Sequence, residues 1–246
     1  MPTGPPRADR STGRTRPSRV GGRYGLLLLV LIGTYLLAAF SGTTLATEVQ
    51  VVLFAGVLLI ALRTSALPAP WPAVIGAFTI IGTTVTFWTS LSGTRDGKAA
   101  EDLWKALLLL GAVVVVLRRV LAKPEVTVQS IYGALSAYLI VGLMFASGYA
   151  ALEHLGNSDF FANGQQANTQ TFQYFSFTTL TTLGYGDFTA AESGGRSIAV
   201  LEALTGQVFM ATLVARLVSA YRGPARQPGR RLPEDVDGPG DDEDRD

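Results

Sequence analysis

Apolar residues in this chain arrive in long blocks, without the stripes of period 3.6 or 2 that mark half-buried helices and strands in water. The stretches between Arg23 and Glu48, between Thr64 and Arg95, and between Glu125 and Glu153 carry no charge. Each is longer than the roughly 20 residues a helix needs to cross a bilayer, so they predict three strong membrane spans. Val49–Ala61, Ala106–Leu117 and Ser197–Ala215 are shorter or interrupted, and become spans if Arg63, Lys105 and Arg118 snorkel toward the interfaces. Pro68, Pro70 and Pro72 around Trp71 break the chain between the second and third blocks, and Pro72 suits the first turn of the next helix.

Composition agrees: 48% of the 246 residues are apolar and 16% charged, with a net charge of +1. That balance is a membrane signature and gives no sign of a nucleic-acid partner. The placement of the positive charges says more than their sum. Six arginines crowd Arg7 to Arg23. If this tail is cytoplasmic and six spans follow, Arg63, Arg118, Arg119, Lys123, Arg216, Arg222, Arg226, Arg230 and Arg231 also fall inside, and Arg95, Lys98, Lys105 and Arg196 outside. Dropping one weak span would invert half the loops. The expectation is an all-α membrane protein with six transmembrane helices in the plasma membrane, both termini cytoplasmic and lipid bilayer around it. The first block read instead as a secretory signal, with Thr44-Leu45-Ala46 as cleavage site, has an apolar run longer than the usual 7–15 or so residues. There is no cysteine, so no disulfide or thiolate metal site. Arginine outnumbers lysine, a codon-usage hint of a GC-rich bacterial genome.

Met1–Gly22 and Gly223–Asp246, rich in Pro and Gly, read as disordered tails. The basic tail either rests on anionic headgroups or serves solubility and orientation. The acidic run Asp241–Asp246 reads as a solvated end. Arg118–Val126, with Pro124, joins the fourth span to the fifth along the inner surface, and the fifth runs from about Thr127 to Leu152. From Glu153 to Gly195 the chain is outside and too short for a domain, yet it dips into apolar sequence at Phe172–Leu183. Non-helical backbone at membrane depth survives only where protein buries it or where it lines a water-filled path. A re-entrant loop therefore suggests a pore.

Thr171–Thr181 reads as one short helix with its C-terminus pointing inward, followed at once by Thr182-Leu183-Gly184-Tyr185-Gly186-Asp187. Together these resemble the signature of the potassium-channel family, in a six-span bacterial form with one pore loop per subunit. Were Gly184–Asp187 only a polar turn, no uncharged aromatic helix would be needed before it. The resemblance implies a fourfold homotetramer, a re-entrant pore helix and selectivity filter between helices five and six, K⁺ as the permeant ion and no cofactor. It implies four parts: a disordered tail at 1–23, a four-helix peripheral bundle at 24–122, a pore domain at 123–222 and a second tail at 223–246. By the resemblance, carbonyls of Thr182, Leu183, Gly184 and Tyr185 replace the hydration shell of K⁺, and the Thr182 hydroxyl completes the innermost site. Carbonyls that all face one axis need recurring left-handed dihedral angles, which Gly184 and Gly186 supply at alternate positions. The pore-helix C-terminus offers a partial negative charge to a cation below the filter. Asp187 is to be anchored by an aromatic cuff residue, Tyr174 or Phe175, the bond being absent if it is Phe175. Thr178 stands where some bacterial members carry a filter-bonded glutamate, so slow filter inactivation does not carry over. Leu183 stands where valine is commonest, with only its carbonyl at work.

Gly206 matches the family's inner-helix hinge, with close helix packing as the equal alternative. Gln207, Met210 and Val214 share a face and line the cavity if the family alignment holds. Glu202, an acid deep in a span, reads as a carboxylate bonded behind the filter to Thr178 or Thr179, with ion attraction in the cavity as the sharper alternative. His154 reads as an ordinary outer-loop residue, too isolated for a metal site. Ala106–Leu117 carries no charge where voltage-gated relatives carry an arginine ladder, so weak or no voltage dependence is expected. The tail of roughly 25 residues is too short for a nucleotide- or calcium-binding domain. Alternatives are a voltage-gated potassium channel, a potassium transporter, which expects four degenerate loops, and a non-conducting partner subunit, which expects a damaged filter. No clustered catalytic constellation speaks for an enzyme.

Overall fold

A computed structural model describes residues 23–40, 44–64, 70–90, 93–122 and 126–221. Residues 1–22 and 222–246, which hold nearly all of both expected tails, lie outside the described residues, as does Pro68. Seven helices follow in order: α1 Arg23–Phe40, α2 Thr44–Thr64, α3 Trp71–Ser90, α4 Arg95–Leu121, α5 Val128–Leu155, α6 Thr169–Leu180 and α7 Ser193–Tyr221. Among the described residues, three segments are long and apolar enough to cross a membrane: Pro72–Thr89, Val128–Leu155 and Ser193–Ser219. The ranking of spans expected above changes. The first block, read as strong, yields only the shorter apolar stretch Tyr24–Phe40, because its uncharged run is divided between α1 and α2. The last, read as weak, makes a 29-residue helix that carries Glu202 within it.

Polar side chains in these helices turn back on their own backbone. Thr34 donates to Val30 O at 2.7 Å, Thr79 to Ile75 O at 2.8 Å and Ser147 to Leu143 O at 3.0 Å. In an apolar surround a hydroxyl without a partner costs several kcal/mol, roughly 4–8 on alkane scales, and the carbonyl four residues back removes that cost locally.

The frame is an antiparallel pair, α4 against α5. At one end, a side chain on Gly133 would strike Val120. At the other, His154 Nε2 lies 3.6 Å from Asp102. Arg95 clamps this second end, its Nη2 donating to Glu153 O at 3.0 Å and Gly156 O at 3.1 Å, where α5 has carbonyls without helical partners. Lys105, expected to snorkel, is instead buried, with Nζ 2.7 Å from Glu101 and 2.9 Å from Asp102. The Glu-Asp-x-x-Lys spacing places both acids on the lysine's side of α4, where they pair with it. His154 is likewise no loop residue, since it sits in the last turn of α5 against this cluster.

Helix α1 lies along α5, from Gly25 beside the Tyr132 ring to Ala39, whose carbonyl accepts from Gln170 Nε2 at 3.2 Å. Leu31, Phe54, Leu58, Leu109, Ala112 and Ile140 pack a core shared by α1, α2, α4 and α5. A second, aromatic core of Tyr149, Phe160, Phe161, Phe172 and Phe175 holds α6 against α5 and the loop before it.

Candidate functional site

Helix α6 begins with a capping box. Asn168 Oδ1 accepts from Thr171 N, and Thr171 Oγ1 accepts from Asn168 N, both at 2.9 Å. Its bounds, Thr169–Leu180, shift the expected Thr171–Thr181 by one or two residues. It runs back along α5 to Leu180, whose carbonyl accepts from Tyr138 OH at 3.2 Å. Tyr138 is ten residues into α5, about 15 Å along its axis. The helix therefore stops partway along its neighbour and the chain turns back.

The turn is tied to the end of α6. Leu183 N and Gly184 N both donate to Thr178 O, at 2.8 and 3.1 Å, and Thr182 N donates to Thr179 O at 2.9 Å. Thr178 thus supports the segment through its backbone carbonyl, while its hydroxyl donates to Phe175 O in its own helix. Left-handed φ values recur at alternate residues: Thr182 at 58°, Gly184 at 47° and Gly186 at 81°. The two glycines adopt this region freely. Thr182 does not, because a β-branched side chain at positive φ crowds its own backbone. Sequence reasoning missed this third position. It is held by the bonds of Thr182 to Thr179 and Thr181. Among the described residues, no hydrogen bond ends on the carbonyls of Thr182, Leu183, Gly184 or Tyr185. Four consecutive acceptors, set by alternating dihedrals, have no partner among the described residues.

The Asp187 end is also pinned. Tyr174 OH donates to Asp187 Oδ2 at 2.7 Å, and Phe188 N to Asp187 Oδ1 at 3.1 Å. Gln165 Nε2 donates to the Asp187 carbonyl. Between the expected alternatives the partner is Tyr174, and Phe175 is buried in the aromatic core. The Tyr174 ring stacks on Tyr185, with centroids 6.5 Å apart and planes 7° apart. Replacing Tyr174 by Phe should leave the fold intact and raise hydrogen exchange several-fold at the amides of Asp187 and Phe188. Unchanged exchange would assign the anchoring to Gln165 and Phe188 alone.

Glu202 is fully buried on α7. Its partners are not Thr178 or Thr179. Tyr149 OH of α5 donates to Oε2 at 2.6 Å, and Ser176 Oγ of α6 bonds Oε1. Ser176 Oγ also contacts Gly142 O at 2.7 Å. The correction is one of helix phase, because Thr178 faces its own carbonyls while Ser176, two residues earlier, faces α7. The carboxylate thus joins the three helices behind the segment and does not point to its open side. Four residues on, Gly206 touches the end of α6, where an added Cβ would lie 2.1 Å from Leu180 O. This contact is a close helix packing at the glycine. Gln207, Met210 and Val214 are exposed on the single chain. Gln207 Nε2 donates to Thr182 Oγ1 at 3.0 Å, so Gln207 touches the segment itself. Tyr149 and Ser176 escaped the sequence analysis.

The model of a family described as "Ion channel" matches residues 133–222, which run from α5 to the end of α7. Protein LctB of Bacillus caldotenax is 32% identical over 120 residues, covering 46% of this chain and 89% of that protein. No solved structure matches.

Proposed function

The chain belongs to the ion-channel family, and from that premise we propose that four copies form a K⁺-selective channel in the plasma membrane, with six spans per chain and both termini cytoplasmic. The observation that carries this is the run of four free carbonyls at Thr182–Tyr185 on a backbone of alternating handedness. Around one axis, four such runs give stacked rings of oxygen, the ligand set that replaces the hydration shell of a K⁺ ion. Conduction is passive. The C-terminus of α6 aims its partial negative charge at the cavity below.

Voltage dependence is weak or absent in this proposal. A sensor helix must slide, carrying several charges through the field at about 2.3 kcal/mol per charge per 100 mV. Helix α4 has no charge between Ala106 and Leu117. Its outer end is bonded to α5 through Arg95, and Arg119 at its inner end lies 5.8 Å over the Tyr24 ring of α1. The test is purified protein in planar bilayers under opposed K⁺ and Na⁺ gradients. The reversal potential should follow K⁺, with no steep activation by voltage, and Gly184→Ala should abolish the selective current while the tetramer persists. A reversal potential indifferent to K⁺ would overturn the proposal.

A further inference from the structure

We propose that Gln207 is a positioning residue for the innermost ion site, holding the Thr182 hydroxyl oxygen where a cation leaving the cavity meets it. The inference rests on the channel reading above and adds a residue to it. A threonine hydroxyl has one proton and two lone pairs. The proton of Thr182 goes to Thr181 O at 2.7 Å. Its partner at Gln207 must then be an N–H donor, and the amide nitrogen is the atom found 3.0 Å from the oxygen. One lone pair is so occupied and one remains for an ion.

The geometry is built from both sides. Thr182 is in the left-handed region at φ 58°, and its own N–H is tied to Thr179. Gln207 follows Gly206, whose contact with Leu180 O brings the α7 backbone against the end of α6. That approach puts a five-atom side chain within reach of the first residue of the filter. A larger residue than glycine at 206 would hold α7 away and break the bond. Threonine side chains otherwise divide between rotamers, and an oxygen that shares its time between two places discriminates poorly between cations of different radius. The amide thus fixes the oxygen radius of the ring to which each of four chains contributes one hydroxyl.

Barium has nearly the radius of K⁺ and twice its charge, so Ba²⁺ applied from the cytoplasmic side reports on this ring. Gln207→Met keeps length and removes the donor. It should weaken Ba²⁺ block about tenfold, equivalent to about 1.4 kcal/mol, and lower K⁺ over Na⁺ discrimination while a K⁺ current persists. Thr182→Val removes the hydroxyl and should weaken block at least as much. Because both act through one oxygen, the double variant should be no weaker than Thr182→Val alone. Additive effects, or wild-type block and selectivity in Gln207→Met, would overturn the assignment. Should Gln207→Met fail to assemble, Gln207→Asn, whose donor is one carbon too short to reach, is read by the same criteria. Absence of K⁺-selective current in the unmodified protein would count against the channel reading itself, and is seen before any variant is made.

Discussion

Gly206→Ala is expected to abolish conduction while leaving the helices in the membrane. The added methyl would sit 2.1 Å from the Leu180 carbonyl oxygen, where ordinary contact begins near 3.4 Å. That oxygen is backbone and is also held by Tyr138, so no flexible side-chain end is available to move aside. Relief requires α7 to retreat from α6 by about 1 Å, an overpacking cost of roughly 1–3 kcal/mol per chain. Retreat also withdraws Gln207 from Thr182 and loosens the helix end from which Leu183 and Gly184 hang. Liposome flux and single-channel recording distinguish packing from hinge. Loss of selectivity and unitary current supports packing, whereas normal unitary current with altered open probability would make Gly206 a hinge. Normal behaviour in both would remove Gly206 from either role.

The second large effect is at Glu202. Glu202→Leu keeps most of the volume and removes both acceptor oxygens, leaving Tyr149 OH buried without a partner and Ser176 with one fewer. Each buried polar group stranded in this way costs roughly 1–3 kcal/mol, multiplied by the number of chains in the assembly. We expect a lower melting temperature for the assembly and loss of flux. Glu202→Gln should retain most of both, because its carbonyl accepts from Tyr149 and its amide donates to Ser176, which passes its own proton to Gly142. If Gln and Leu reduce conductance equally while assembly stability is unchanged, the negative charge itself serves the ion path and the bracing role is wrong.

The backbone of Thr182–Asp187 was legible because its chemistry is local. Alternating glycines after an aromatic helix encode the handedness of the turn within a few residues. Glu202 was legible as a buried carboxylate but not in its partners, because Tyr149 lies 53 positions away and its approach depends on how α5 crosses α7. The phase of α6 was equally hidden, since every third or fourth residue in Thr-Phe-Gln-Tyr-Phe-Ser-Phe-Thr-Thr offers some polar group. In α4 a signal was present and underused. Glu101 and Asp102 stand four and three residues before Lys105, a spacing that allows the lysine to be buried with its counter-ions. The left-handed Thr182 could be inferred only by extending the glycine alternation one step back into a residue that resists it.

The Thr182–Asp187 segment is exposed on the isolated chain. In the proposed tetramer no chain owns an ion site, because every ring of oxygens takes one member from each copy. The genetic consequence is dominance. A copy altered at Gly184 or Gly206 that still assembles would silence the assemblies it enters, so a cell making altered and normal chains together would lose most of its current. A copy too damaged to join would be recessive.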